Sequence, residues 1–278
     1  MRKNVLSRGS VSVIICFSFS HAVFHFLGQG FSVLIPSIQQ TFNITPIEIG
    51  ALITVREITA GFISLPGGLL SDYLKKHRSL ILTFCLALYG IGWLIIGLSP
   101  LFSLLFLGMC VIASATSVWH LPAMTELGSR FPGEKGMVFA IFGAGGSIGD
   151  ILGPVVTGLL LAYLSWQNIV TGYVILPFIM ALWTYLMFQN VRKQDASDSG
   201  EIPKHEPVSF RAQLKVTAEV IRDTDIFKIN IVSGLRGMCF AVLVTFLPLY
   251  MHDSGFSGRS IGFHFGLLWA IGLVVSPY

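Results

Sequence analysis

Residues 67–78 read Gly-Gly-Leu-Leu-Ser-Asp-Tyr-Leu-Lys-Lys-His-Arg and place one acid and a basic cluster between two long apolar runs. Hydrophobic residues make up 53% of the 278-residue chain, charged residues only 12%, and the mean hydropathy is +0.75. In soluble domains about a quarter of the residues are charged. The composition therefore predicts an all-α integral membrane protein, in which residues 67–78 connect two spans.

Apolar segments of about 20 residues, the length that crosses a bilayer as a helix, recur along the chain. They predict eight spans, at about residues 11–35, 47–70, 80–98, 101–124, 137–163, 168–189, 227–250 and 259–278. The first span is expected to be retained, because its apolar run continues without a small-residue cleavage site. Thr45, Pro46 and Glu48 predict a capped start for the second span.

One long polar segment divides the spans. It predicts a six-helix bundle at residues 1–189, a cytoplasmic linker at 190–225, and a partial second bundle at 226–278. Residues 193–201 have the composition of a solvated linker. Residues 210–222 place apolar side chains on one helical face, which is typical of a helix lying along a membrane surface.

The basic residues predict the orientation. Of 18 Lys and Arg residues, three lie at the N-terminus, three after span two, two after span four and seven between residues 190 and 228. By the positive-inside rule the N-terminus is cytoplasmic, and we expect a bacterial plasma membrane. The four cysteines lie inside apolar runs without disulfide or metal-ligand spacing, so no metal site or other cofactor is expected.

The plan of six spans, a long linker and further spans resembles the major facilitator superfamily, and residues 67–78 resemble its signature between spans two and three. That signature is G-x-L-(small)-D-R-x-G-[RK]-[RK]; the matching residues here are Gly68, Leu70, Ser71, Asp72 and Lys76, and Arg78 supplies the last cation one position beyond the pattern. Tyr73 and Lys75 replace the usual Arg and Gly. The resemblance implies a conformational latch formed by Gly68, Asp72, Lys76 and Arg78, although the cations would equally serve as orientation charges.

Span five contains a second resemblance. Its residues Gly149, Gly153, Pro154 and Gly158 are similar to the G-x-x-x-G-P-x-x-x-G element of proton-driven antiporters in the superfamily. Glycines at this spacing open a groove in which a neighbouring helix packs closely, and the proline kinks the helix. General small-residue packing produces the same pattern.

Two histidine-containing stretches resemble the fosmidomycin-resistance-like branch of the superfamily. They are Ser-His-Ala-Val-Phe-His at residues 20–25 in span one and Ser-Val-Trp-His-Leu-Pro at 117–122 in span four. In that branch the span-four histidine directly precedes proline, whereas Leu121 intervenes here.

Ionisable side chains inside spans are costly, so they are the candidates for the functional site. His21, His25 and Gln29 recur every four residues and share one helical stripe. The expected proton-coupling residues are His21, His25, Asp150 and Glu57, and the expected substrate-cavity residues are Gln29, Arg56, His120 and Arg236. The histidines can instead be neutral packing groups, and Asp150 can instead pair with Arg56 or Arg236. Arg56 and Glu57 lie about 100° apart around their helix and are not expected to face the same direction.

The resemblance implies a secondary transporter of a small organic molecule that exports its substrate in exchange for protons by alternating access. Two cavity cations favour one alternative, the uptake of an organic anion together with protons. The other alternative is a non-transporting protein, because the family has four further spans that this sequence lacks. The expected partners are the bilayer, the substrate, protons and those missing spans, but no nucleic acid. An intramembrane protease, and with it an enzyme, is not expected, because Ser147 and Ile148 break the two protease motifs.

Overall fold

The computed structural model describes residues 8–73, 77–198, 219 and 223–275, and within them it contains nine α-helices. They are α1 (Arg8–Phe42), α2 (Pro46–Tyr73), α3 (Arg78–Gly97), α4 (Phe102–Arg130), α5 (Lys135–Leu160), α6 (Trp166–Tyr173), α7 (Ile175–Asp198), α8 (Thr224–Asp253) and α9 (Gly258–Val275). Each predicted span coincides with a helix, except that α6 and α7 together form the sixth. The predicted all-α class is confirmed.

Six helical segments in the described residues are long and apolar enough to cross a membrane. They are α1, α3, α4, α5, the α6–α7 pair and α8. The other two helices, α2 and α9, occupy the predicted second and eighth spans. Large apolar side chains on the outer surfaces are exposed, as expected of a protein surrounded by lipid.

Local sequence signals account for several helix ends. The backbone N–H of Thr45 donates to Glu48 Oε2 at 2.7 Å, and the backbone N–H of Glu48 donates to Thr45 Oγ1 at 3.3 Å. This reciprocal pair is a capping box, so the predicted start of α2 is confirmed. Asp223 caps α8, because its Oδ1 accepts hydrogen bonds from the backbone N–H groups of Asp225 and Ile226.

The first seven helices share one core. Phe17, Tyr89 and Trp119 are almost fully buried at its centre, and the Tyr89 hydroxyl donates to the backbone oxygen of Phe24 at 2.8 Å. Helices α3 and α4 pack as antiparallel neighbours joined by the short connection around Ser99. Helix α5 contacts both α1 and α9, so it joins the first seven helices to the last two.

Helix α8 contacts the first seven helices mainly near one of its ends. Gln40 Nε2 lies 3.2 Å from His252 Nε2, where α1 and α8 both end, and Met251 is buried in a cluster with Val33 there. Near the start of α8, Ile229 and Val232 are 65% and 67% exposed. We call the end at which α8 starts the linker side and the other end the far side. The two groups of helices therefore meet on the far side and separate on the linker side.

Helix α7 extends into the first part of the predicted linker. Helix α7 continues to Asp198, so the polar residues from 190 to 198 are helical. Val191 is buried and anchors this extension, and adding residues to an existing helix is far easier than starting a new one. The rest of the linker and the predicted surface helix at 210–222 lie outside the described residues, apart from Glu219. The domain boundaries at 189 and 226 stay a prediction.

Candidate functional site

The glycines of α5 bring α1 unusually close. A Cβ atom on Gly149 would collide with the backbone oxygen of Ala22, and one on Gly153 would collide with that of Phe26. Both pairs are spaced by four residues, so one face of α5 follows one face of α1 for more than a turn. This close approach places Asp150, which follows Gly149, against the histidine stripe of α1.

The same helix packs against α9 near its other end. A Cβ atom on Gly158 would lie 2.6 Å from the backbone oxygen of Gly258, and one on Gly262 would collide with the backbone oxygen of Pro154. The sequence-predicted packing residues of α5 thus lie at two helix contacts, one within the first seven helices and one between them and α9. Contacts of this kind are typical of small residues in membrane helices.

Three histidines form a cluster beside α5, which we call the histidine cluster: His21 and His25 on α1 and His120 on α4. The ring centroids of His21 and His25 are 4.4 Å apart, and those of His21 and His120 are 5.2 Å apart. One ring nitrogen of each histidine lies within 4.8 Å of one from each of the others. His120, a predicted substrate-cavity residue, therefore lies beside the two histidines that are predicted to couple protons.

Each histidine of the cluster uses its Nδ1 atom for a hydrogen bond. His21 Nδ1 donates to the backbone oxygen of Phe142 at 2.9 Å, and His120 Nδ1 donates to that of Thr116 at 2.8 Å. His25 Nδ1 lies 2.8 Å from Asp150 Oδ1, and the Asp150 side chain is only 10% exposed. In a neutral imidazole that donates through Nδ1, the lone pair lies on Nε2.

A cavity of about 220 Å³ lies between α1, α2 and α8. Gln29, Arg56 and Glu57 all line it, and Gln29 Oε1 is buried without a hydrogen-bond partner among the described residues. A second, more apolar cavity of about 450 Å³ continues between α2 and α8 and shares Glu57 and Thr245 with the first. Together the two cavities offer polar groups at one end and an apolar surface at the other.

The expectation that Arg56 and Glu57 face different directions is wrong. Both side chains line the same cavity, and Arg56 Nη1 lies 3.6 Å from Glu57 Oε1. The angle of about 100° describes the Cα–Cβ directions, whereas both side chains are long enough to turn towards each other. They remain 40% and 54% exposed, so both can also contact a molecule in the cavity.

The structure also separates residues that the sequence grouped. Arg236 is exposed on α8 and lies outside the lining of these two cavities. Asp150 pairs with His25, and Arg56 pairs with Glu57; among the described residues neither predicted pairing of Asp150 with an arginine is present. The roles of His21, His25 and Asp150 in proton transfer stay a prediction.

The predicted latch is only partly described. Gly68 lies in α2 against Leu121 of α4, the side chain of Asp72 is not described, and Lys76 lies outside the described residues. Arg78 Nη1 donates to Glu126 Oε2 at 2.9 Å, within the first seven helices. In this structure Arg78 therefore joins α3 to α4. The part of the latch that would involve Asp72 stays a prediction.

Glu126 is a residue that the sequence analysis missed. Its second carboxylate oxygen, Oε1, accepts a hydrogen bond from Arg130 Nε at 2.6 Å, so one carboxylate binds two arginines. The spacing of four between Glu126 and Arg130, at the predicted end of span four, was the available signal.

The sequence is similar to several curated proteins. The protein is 25% identical over 162 residues to "Uncharacterized MFS-type transporter YhcA" of Bacillus subtilis, covering 58% of this chain and 30% of that protein. It is 22% identical over 176 residues to "Fosmidomycin resistance protein" of Escherichia coli, covering 63% of this chain and 42% of that one. It is 28% identical over 143 residues to "Puromycin resistance protein pur8" of Streptomyces alboniger, covering 50% of this chain and 28% of that protein.

A solved structure shares the fold. It is a bacterial homolog of the human lysosomal transporter Spinster in an inward-facing, unoccupied conformation, with a TM-score of 0.73 and 14% identity. The match covers 97% of this chain and 61% of that one, so the chain spans less than two thirds of each relative named here. The sequence model of the Major Facilitator Superfamily matches residues 17–278. Because that match includes nearly the whole chain, the protein belongs to the Major Facilitator Superfamily.

Proposed function

We propose that the protein exports a small organic molecule across the bacterial plasma membrane in exchange for protons, by alternating access. The observation that carries this proposal is the cavity between α1, α2 and α8, in which Arg56 and Glu57 meet. Because the cavity lies where the first seven helices face α8, movement of one group against the other would change access to it.

We assign the orientation of the protein in the membrane from the distribution of charge. The linker side carries most of the basic residues, so we assign it to the cytoplasm, and with it the N-terminus. The helices separate on that side, which lets a cytoplasmic molecule enter. Two relatives are named for resistance to fosmidomycin and puromycin, and this supports export of a small organic compound.

Glu57 is the group that we assign to proton exchange. Its carboxylate is 54% exposed in the cavity, so it can gain or lose a proton and can also accept a hydrogen bond from a substrate. A substrate cation or donor group binds best when Glu57 is ionised. Proton and substrate then compete for one carboxylate, and this competition couples entry of one to exit of the other.

Arg56 supports a second candidate function, the uptake of an organic anion together with protons. Ionised Glu57 holds Arg56 at 3.6 Å, and protonation of Glu57 would release the guanidinium to bind an anion. In that case proton and substrate bind together, so the two would cross the membrane in the same direction.

One experiment distinguishes these functions. Liposomes containing the purified protein enclose a weakly buffered pH dye, with no initial pH gradient, and receive fosmidomycin or puromycin outside. Exchange makes the lumen more alkaline as the compound enters, whereas co-transport makes it more acidic. Glu57→Gln should abolish the pH change, and Glu134→Gln serves as a control in the connection before α5. A lumen that acidifies contradicts exchange, and compound entry without any pH change contradicts proton coupling altogether.

A further inference from the structure

We propose that His21, His25 and His120 form a binding site for a divalent transition-metal ion. The three imidazoles come from two helices, with His21 and His25 one turn apart on α1 and His120 on α4. One ring nitrogen of each lies within 4.8 Å of one from each of the others. This inference goes beyond transport and does not involve Glu57 or its cavity.

The hydrogen bonds of the cluster leave the correct atoms for a metal. Each Nδ1 is bonded, to the backbone oxygens of Phe142 and Thr116 and to the carboxylate of Asp150. The Nε2 atoms of neutral rings then carry the lone pairs that bind metals. Zinc lies about 2.0–2.1 Å from its imidazole ligands, so binding requires the three rings to turn their Nε2 atoms towards one point.

The surroundings resemble the outer contacts of known metal sites. Metal-binding histidines usually donate their other N–H to a carboxylate or a backbone carbonyl, which fixes the ring orientation. All three histidines do so here, and the His21 ring also stacks on Phe142 with centroids 4.1 Å apart. The Asp150 carboxylate, next to His25, would offset part of the positive charge of the ion within the membrane.

The donor set selects the class of metal. Three imidazole nitrogens suit zinc, copper, nickel and cobalt, whereas calcium and magnesium prefer oxygen ligands. Three protein ligands leave a coordination position open, and the His25 side chain, which is 33% exposed, gives a route of entry. Since α1 and α4 both belong to the first seven helices, the ion would stabilise that group without linking it to α8 or α9.

Binding of copper(II) tests the proposal. Purified, chelator-treated protein is titrated with Cu²⁺ in the presence of a competing chelator and followed by electron paramagnetic resonance. We expect one ion per chain with nitrogen hyperfine splitting, and a rise in thermal stability on binding. His120→Gln should remove the splitting pattern of a three-nitrogen site, and Asp150→Asn should weaken binding about 10- to 100-fold. His264→Gln is the matched control, because that exposed histidine donates Nδ1 to its own helix at Ser260.

The outcomes are separable even if a variant folds poorly. Wild-type protein that binds no Cu²⁺ against the chelator, or binds it without nitrogen splitting, overturns the proposal. So does an unchanged spectrum in folded His120→Gln protein, or loss of binding in His264→Gln. Size-exclusion profiles identify variants that have not folded, and Asp150→Asn, which keeps all three ligands, then provides the second test.

Discussion

The imidazole of His25 and the carboxylate of Asp150 meet at 2.8 Å between α1 and α5, where Gly149 lets the two helices touch. Hydrogen bonds between membrane helices contribute about 0.6 kcal/mol on average and up to about 1.7 kcal/mol. Because the Asp150 carboxylate is buried, we expect the hydrogen bond between His25 and Asp150 to lie towards the upper end of this range. We therefore expect a double-mutant cycle of His25→Ala and Asp150→Ala to give a coupling of about 1–2 kcal/mol.

This coupling is measured by unfolding in mixed micelles, with a chelator present to remove metal ions. A cycle of His264→Ala with Asp150→Ala is the control, since His264 is exposed and its Nδ1 bonds to Ser260 of its own helix. Additive effects in the His25 cycle would contradict an energetic link between α1 and α5 at this position.

The close packing of α5 on α1 gives a second prediction. In Gly149→Ala the new methyl group would meet the backbone oxygen of Ala22, which cannot rotate away as a side chain can. We expect a loss of about 1–3 kcal/mol in the free energy of unfolding. Gly143→Ala in the same helix has nothing within 4 Å of the new methyl group, and should be neutral or stabilising by up to about 1 kcal/mol. Equal effects of the two substitutions would contradict this account of the α1–α5 contact.

The positions of the helices could be predicted from the sequence because bilayer thickness sets the length of each apolar segment. The capping pair of Thr45 and Glu48 could be predicted because its interactions are local. The contact of His120 with His21 could not be predicted from the sequence, because it depends on how α1 and α4 are rotated and shifted against each other. That register is decided by side chains all along the interface.

The wrong expectation about the directions of Arg56 and Glu57 has a different cause. Helix geometry fixes the direction in which a side chain leaves the backbone, but two long side chains have enough rotatable bonds to meet in one cavity. Glu126 was missed because its importance depends on Arg78, which lies 48 residues away in the sequence and at 2.9 Å in the structure.

Glu126 supports a third prediction. Its side chain is 12% exposed and joins Arg78 at the start of α3 to Arg130 at the end of α4. Removal of the carboxylate in Glu126→Ala leaves the guanidinium groups of Arg78 and Arg130 close together and partly buried, without the negative charge between them. We expect a loss of about 2–4 kcal/mol in the free energy of unfolding, near the range for removing one partner of a buried pair.

The matched control for Glu126 is Asp225→Ala. It breaks the pair of Asp225 with Lys228, whose side chains are both mostly exposed, and should cost less than about 1 kcal/mol. High salt should reduce the loss of stability in Asp225→Ala further, and it should leave most of the loss in Glu126→Ala. Equal losses for the two substitutions would show that Glu126 does not hold α3 against α4.

Gln29 should show opposite effects on stability and transport. Its Oε1 atom is buried at the cavity without a hydrogen-bond partner among the described residues. An unpaired buried oxygen costs about 1–3 kcal/mol, so Gln29→Leu should leave stability unchanged or raise it. If a hydrogen-bond donor of the substrate binds to this oxygen, the same substitution should raise the KM of transport about tenfold, which corresponds to about 1.4 kcal/mol.

Gln40→Leu, at the far-side contact with His252, is the control and should leave KM within about twofold. A Gln29→Leu protein with lower stability and unchanged KM would place this side chain in the packing of α1 and not in the substrate site.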